Sequence, residues 1–182
     1  MLHDHLESTS LLARLTNTEL QIDDYIDILK RYFGLLTRFE EQVADHSGWA
    51  VINRQPETCR KSPLLKKDLN TLGVDPSNHG HPATADLSFE CQSVSQFMGT
   101  FYVIEGSSLG GIYIAKHLQQ HLGLTANNGA SYFHGYGADT AGQWKQFCGH
   151  LARYGETIPD PKPVVDAAQH AFSTFHQAMS GR

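Results

Sequence analysis

The chain has 182 residues, of which 40% are hydrophobic and 18% charged, which suits one domain with a substantial core. Fourteen Lys and Arg against nineteen Asp and Glu leave a net charge of -5, a balance that argues against the phosphate neutralisation on which nucleic-acid affinity rests. No run of about 18 apolar residues offers a membrane span. The opening MLHDHLESTS lacks the basic and apolar regions of a secretory signal. Three widely spaced cysteines without a C-x-x-C, Cys59, Cys91 and Cys148, fit a reducing cytoplasm and exclude a disulfide framework or a cysteine zinc site.

In chain order, the first segment, LHDHLES, puts Leu2 and Leu6 at helical spacing around His3. From Asp23 to about Val43, apolar residues fall at Ile26, Leu29, Phe33, Leu36 and Phe39, spaced 3, 4, 3 and 3 apart, which is one face of an α-helix. Ser62-Pro63 predicts an N-cap and an N1 proline ahead of LLKKDLNTL, with Gly73 at the C′ position. The stretch from Ser88 to Leu122 is helix-compatible throughout and stops at Gly123. Its TFYVI segment is β-like in composition but isolated inside the longer pattern. Asp139-Thr140 opens a helix to about Tyr154, with Gly155 after it. After Asp160-Pro161, residues Val165, Ala168, Phe172, Phe175 and Met179 recur at spacings of 3, 4, 3 and 4. Two connections, His46 to Lys61 and Gly73 to Leu87, are long enough to carry function. The expectation is an all-α, single-domain helical bundle of about six helices over residues 1–182.

The segment FMGTFYVIEGSSLGGIYIAKHL places Gly106, Gly110 and Gly111 inside one helix. Each costs about 1 kcal/mol relative to alanine, roughly 3 kcal/mol together, so the cluster needs a compensating use. Gly106 and Gly110 are four apart and share a face, where the absence of side chains permits a close approach. Gly/Ser pairs are also where helices kink. Spacing alone leaves helix–helix packing and a flat ligand lying on the helix equally open.

Eleven histidines are the unusual count. His117 with His121, and His79-Gly80-His81, have metal-compatible spacing, but no H-E-x-x-H or Glu-x-x-His accompanies them. The acids nearest His117 in the chain, Glu105 and Asp139, lie outside ligand spacing, so surface histidines are expected there. His3, beside an apolar slot, has the setting of an axial heme ligand, although a terminal surface histidine is the commoner case. Cys148, among Trp144, Phe147 and Leu151, reads as an inert buried thiol.

Four segments in order, LHDHLESTSLLARL, RKSPLLKKDLNTLG, FYVIEGSSLGGIYIAKHL and SYFHGYGADTAGQWKQF, resemble the bacterial heme oxygenases. The likeness is closest to the biliverdin-producing branch often found beside bacterial phytochromes. It runs from Leu2 to the terminal amphipathic helix, and the glycine-rich segment is its most specific part. The resemblance implies a heme oxygenase-like bundle with heme sandwiched between a proximal helix and a kinked distal helix. By it, His3 matches the axial ligand of the heme iron, and Gly106, Gly110 and Gly111 match glycines whose backbone lies against the porphyrin. Tyr102 and Lys116 match positions that contact propionates. Ser107 stands where some members carry an aspartate that orders the water network, so Gly106, Ser107 and Gly110 would form the catalytic distal surface.

The activity implied is O2- and reductant-dependent cleavage of heme to biliverdin with release of iron and CO, heme being both substrate and cofactor. The resemblance also implies an electron donor such as ferredoxin or a flavin reductase, a phytochrome as recipient of the bilin, and a cytoplasmic location. Only Met1 and Leu2 stand ahead of His3. Either a natural segment precedes this numbering or heme is held mainly from the distal side. That thin support favours the alternative, a non-catalytic heme- or bilin-binding protein of the same fold.

Overall fold

In a computed structural model of the chain, which describes residues 14–76 and 81–180, helix α1 runs Ile22–Gln42 through the middle of the core. The expected stripe is there, with Leu29, Phe33, Leu36 and Phe39 buried, while Ile26 is half-buried. Tyr25, Ile28, Tyr32 and Leu35 turn a second face inward, because α1 has neighbours on several sides. Two single turns, α2 (Gly48–Val51) and α3 (Pro56–Cys59), occupy the first long connection. The first is anchored by Trp49, whose indole Nε1 donates to the Val43 carbonyl at 2.5 Å.

Helix α4, Ser62–Thr71, starts where the proline predicts, but its cap comes from another helix. The Glu40 carboxylate of α1 accepts from Lys61 N at 2.5 Å, Ser62 N at 2.9 Å and the Ser62 hydroxyl. An acid at a helix N-terminus satisfies orphan N–H groups and suits the helix dipole.

The long helix, α5, is Val94–Leu122, and it begins six residues later than its periodicity predicts. Ser93 and Gln96 form a reciprocal capping box that stops the helix there. The residues ahead of it run past the core, turning Phe89 and Cys91 inward, with the Thr100 hydroxyl donating to the Glu90 carbonyl at 2.9 Å. The β-like TFYVI segment is helical, and α5 ends at Gly123 with φ +68 as expected.

A single turn, α6 (Ser131–His134), and a 3-10 turn (Gly137–Asp139) lead into α7, Thr140–Thr157. Helix α7 continues through Gly155 and stops at Ile158, which is extended ahead of Pro159. The pre-proline restriction, rather than the glycine, sets its end. Helix α8, Lys162–Ser180, packs along α5 and also meets α1, burying Ala167, Ala171, Phe175, Ala178 and Met179. Val165, expected on this stripe, is exposed. Among the described residues there is no strand, and no helix is long and apolar enough to cross a membrane.

Candidate functional site

The surroundings of α5 change at Glu105. Up to that point Phe97, Met98, Phe101 and Ile104 bury it in the core. Beyond it, one side stays buried through Gly111, Ala115 and Leu118, while the opposite side is open as far as His117, which is buried against the Asn17 carbonyl. Leu109, Ile112 and Tyr113 are exposed there, as is Tyr102 just ahead of Glu105, from 37% at Tyr102 to 67% at Tyr113. At about 100° per residue, Tyr102, Gly106, Leu109, Tyr113 and Lys116 share one face, with Gly110 at its border. A contiguous apolar face of this kind marks a binding surface.

The glycines show what the face accommodates. A Cβ on Gly110 would meet nothing within 4 Å. A Cβ on Gly106 would lie 3.3 Å from the Trp144 ring of α7. Trp144 also packs on Tyr102, with ring centroids 5.2 Å apart, and so forms an aromatic wall at one end of the face. Lys116 stands exposed at the other end. Between them the backbone is open at Gly110, which fits a flat apolar ring.

Gly111 has a different use. A Cβ there would lie 2.7 Å from the Phe133 carbonyl oxygen of α6, so close helix packing on the buried side already requires this glycine. The helix is unbroken through the cluster. The Ser107 hydroxyl donates to the Ile104 carbonyl at 2.7 Å within the same helix, and its oxygen also meets Tyr132. Burial above all, with Tyr32, Glu40 and Tyr25 nearby, holds the Tyr132 phenol well above its ordinary pKa, although Ser107 acts the other way. Tyr132 therefore stays protonated and available as a donor.

A charged cluster lies beside this face. Glu105 is buried to 1% exposure, with Arg54 and Lys61 at 7% on either side. Arg54 Nη1 and Lys61 Nζ each lie 3.2 Å from its carboxylate, and the Tyr136 hydroxyl donates to it at 2.9 Å. Burial, the largest single influence, works against the Arg54 cation, but Glu105 and Cys59 together outweigh it and the net pKa shift is upward. Burial first, then Glu105, pushes the Tyr136 phenol far up, so it remains a donor. Sequence reasoning missed this cluster. Glu105 was visible as an acid ending the apolar run FYVI, whereas Arg54 and Lys61 fell in a stretch read as a connection.

His3 and His5 lie outside the described residues, as do His79 and Gly80. His81 is engaged structurally, with Nε2 2.9 Å from Asp27 and Nδ1 accepting from Ala83 N at 3.1 Å. His117 Nε2 lies 3.0 Å from the Asn17 carbonyl, and its ring packs on His121 at 4.1 Å. Cys148 is half-buried, and burial pushes its thiol pKa up.

The heme oxygenase family model matches residues 1–181. The chain belongs to the heme oxygenase family. A heme oxygenase of Xanthomonas campestris pv. campestris (strain 8004) is 30% identical over 176 residues, covering 93% of this chain and 97% of that relative. The NO- and CO-bound heme oxygenase of Neisseria meningitidis matches in fold, with a TM-score of 0.72 at 19% identity over 96% of this chain and 87% of that one. The all-helical heme oxygenase fold expected from the sequence is the one observed.

Proposed function

We propose that this member of the heme oxygenase family lays heme on the open face of α5 and opens the ring to biliverdin, releasing iron and CO. The observation that carries this reading is the open backbone at Gly110, one turn from the Trp144-covered Gly106, in the middle of an exposed apolar helix face. Bound heme is both substrate and cofactor, supplying the iron that takes O2 and the ring that is cleaved.

The chain's own residues bind, orient and exclude water. Gly110 admits the ring to the helix backbone, Gly106 makes room for the Trp144 ring at its edge, and Leu109 and Tyr113 offer apolar contact that displaces water. The Ser107 hydroxyl, its proton held by the Ile104 carbonyl, keeps its oxygen free to accept from Tyr132 or from water. It orders donors near the reacting edge without carrying a charge of its own. His3 is the proposed axial ligand, on the strength of the resemblance.

Tyr102 and Lys116 share the face but lie fourteen residues apart, about 21 Å along the axis. That is too far to serve two carboxylates on one edge of the same ring. Lys116 takes the propionate role, and Tyr102 contacts the ring as part of the aromatic wall with Trp144. The resemblance to the branch beside bacterial phytochromes supports a ferredoxin or flavin reductase as electron donor and a phytochrome as recipient of the bilin, in the cytoplasm.

An anaerobic heme titration followed by air and reductant, with catalase present, tests the reading. One heme per chain with a Soret band, then verdin absorbance, is the expected result. Heme binding without verdin leaves the non-catalytic heme-binding alternative, and no heme binding overturns both. His3→Ala is expected to lose the axial-ligand spectrum; unchanged affinity and spectrum would remove His3 as the ligand.

A further inference from the structure

We infer that Lys61 is a positioning residue that clamps the glycine-bearing turn of α5, fixing the height and rotation of the surface formed by Gly106 and Gly110. The base of the clamp is rigid, since the Lys61 backbone N–H donates to the Glu40 carboxylate of α1 at 2.5 Å. The ammonium then reaches α5 at two points on a single turn. Nζ lies 3.2 Å from the Glu105 carboxylate and 3.4 Å from the Ser108 hydroxyl, and it sits 3.9 Å over the Tyr136 ring. Gly106 and Ser107 lie between these two points.

Charge balance alone needs only the contact with Glu105. The second contact, at Ser108, compensates no charge; it spans the turn. Glycine makes this the least self-supporting part of a 29-residue helix, so a cross-turn tie has the most effect here. The same cluster holds the aromatic wall. Arg54, bound to Glu105, donates from Nη2 to the Gln143 carbonyl at 2.7 Å, one residue before the Trp144 that covers Gly106. Glycine backbone and aromatic wall are thereby referred to one buried carboxylate. The consequence for catalysis rests on the proposed heme site: where the glycine backbone sits sets how the ring is rotated against it, and so which meso carbon is attacked.

Lys61→Met keeps the aliphatic length, removes the ammonium and leaves Glu105 with Arg54 and Tyr136. In ligand-free protein, amide hydrogen exchange over residues 106–111 is expected to accelerate about tenfold, with residues 97–103 unchanged and Lys61→Arg restoring protection. In the heme-loaded enzyme, Lys61→Met is expected to change the ratio of biliverdin isomers, and Lys61→Arg to return it to the wild-type ratio. Unchanged exchange at 106–111, or a rise spread evenly over α5, overturns the inference, as does an unchanged isomer ratio. Should Lys61→Met fail to fold, Ser108→Ala removes only the second contact, and its exchange at 106–111 decides by the same criterion. Because the exchange is read without ligand, a wild-type chain that binds no heme would refute the proposed function and still leave the clamp decided.

Discussion

Gly110 and Gly111 are adjacent in the chain and opposite in environment, one facing open space and the other the Phe133 carbonyl. Gly110→Ala should therefore raise or preserve the melting temperature of the ligand-free protein, by up to about 1 kcal/mol of helix propensity, while weakening heme binding. Gly111→Ala should cost about 1–3 kcal/mol of stability, because the Phe133 carbonyl must move. Thermal unfolding without ligand, paired with heme titration of each variant, checks the division; the same response from both would undo it. Spacing alone could put Gly106 and Gly110 on one face, but it could not say what Gly111 meets, since Phe133 arrives 22 residues later and belongs to another helix. Glu105 shows the same boundary. An acid at the end of FYVI is a readable anomaly, but its buried cations, Arg54 and Lys61, come from a distant connection, and no local pattern announces them.

Among the elements, the four-residue α6 is held by a neighbour. Asp68 of α4 is fully buried and accepts from Ser131 N at 2.8 Å, the Ser131 hydroxyl at 2.6 Å and Tyr132 N at 2.8 Å. Because α6 carries both the carbonyl facing Gly111 and the phenol meeting Ser107, this cap also shapes the candidate site. Asp68→Ala strands three donors and should cost about 3 kcal/mol, read as a clear fall in melting temperature. Asp45→Ala, at an exposed position, should stay within about 0.5 kcal/mol; equal effects would contradict the capping role. Element boundaries were less legible than element identities, because hydrophobic periodicity runs on past the stops. The α5 start was available in the S-x-x-Q spacing of Ser93 and Gln96, and the α7 end in Ile158-Pro159. The cap on α4 was not available, since Glu40 lies 22 residues before Ser62.

For the whole molecule, acid is the predictable stress. Burial lowers the pKa of His46, His81 and His150 below 6.5, with Asp27 opposing the shift at His81. The folded state thus prefers these imidazoles neutral, and the unfolded chain binds more protons below pH 6.5. The stability they contribute is complete above that pH and is lost as pH falls through the lowered folded values. Melting temperatures measured from pH 7.5 to 5.5 should fall, and a flat or rising series would refute this. Helix α5 also behaves mechanically as a beam. Its first half is gripped by α7, α8 and the core except at the exposed Tyr102, and its second half is supported along one side only. From Gly110 to Leu122 is about 18 Å of axis, so a slight bend at the glycines becomes a lateral swing at the tip. Lys116 rides halfway along that span, and its reach toward a carboxylate is therefore set by the stiffness of a turn six residues away.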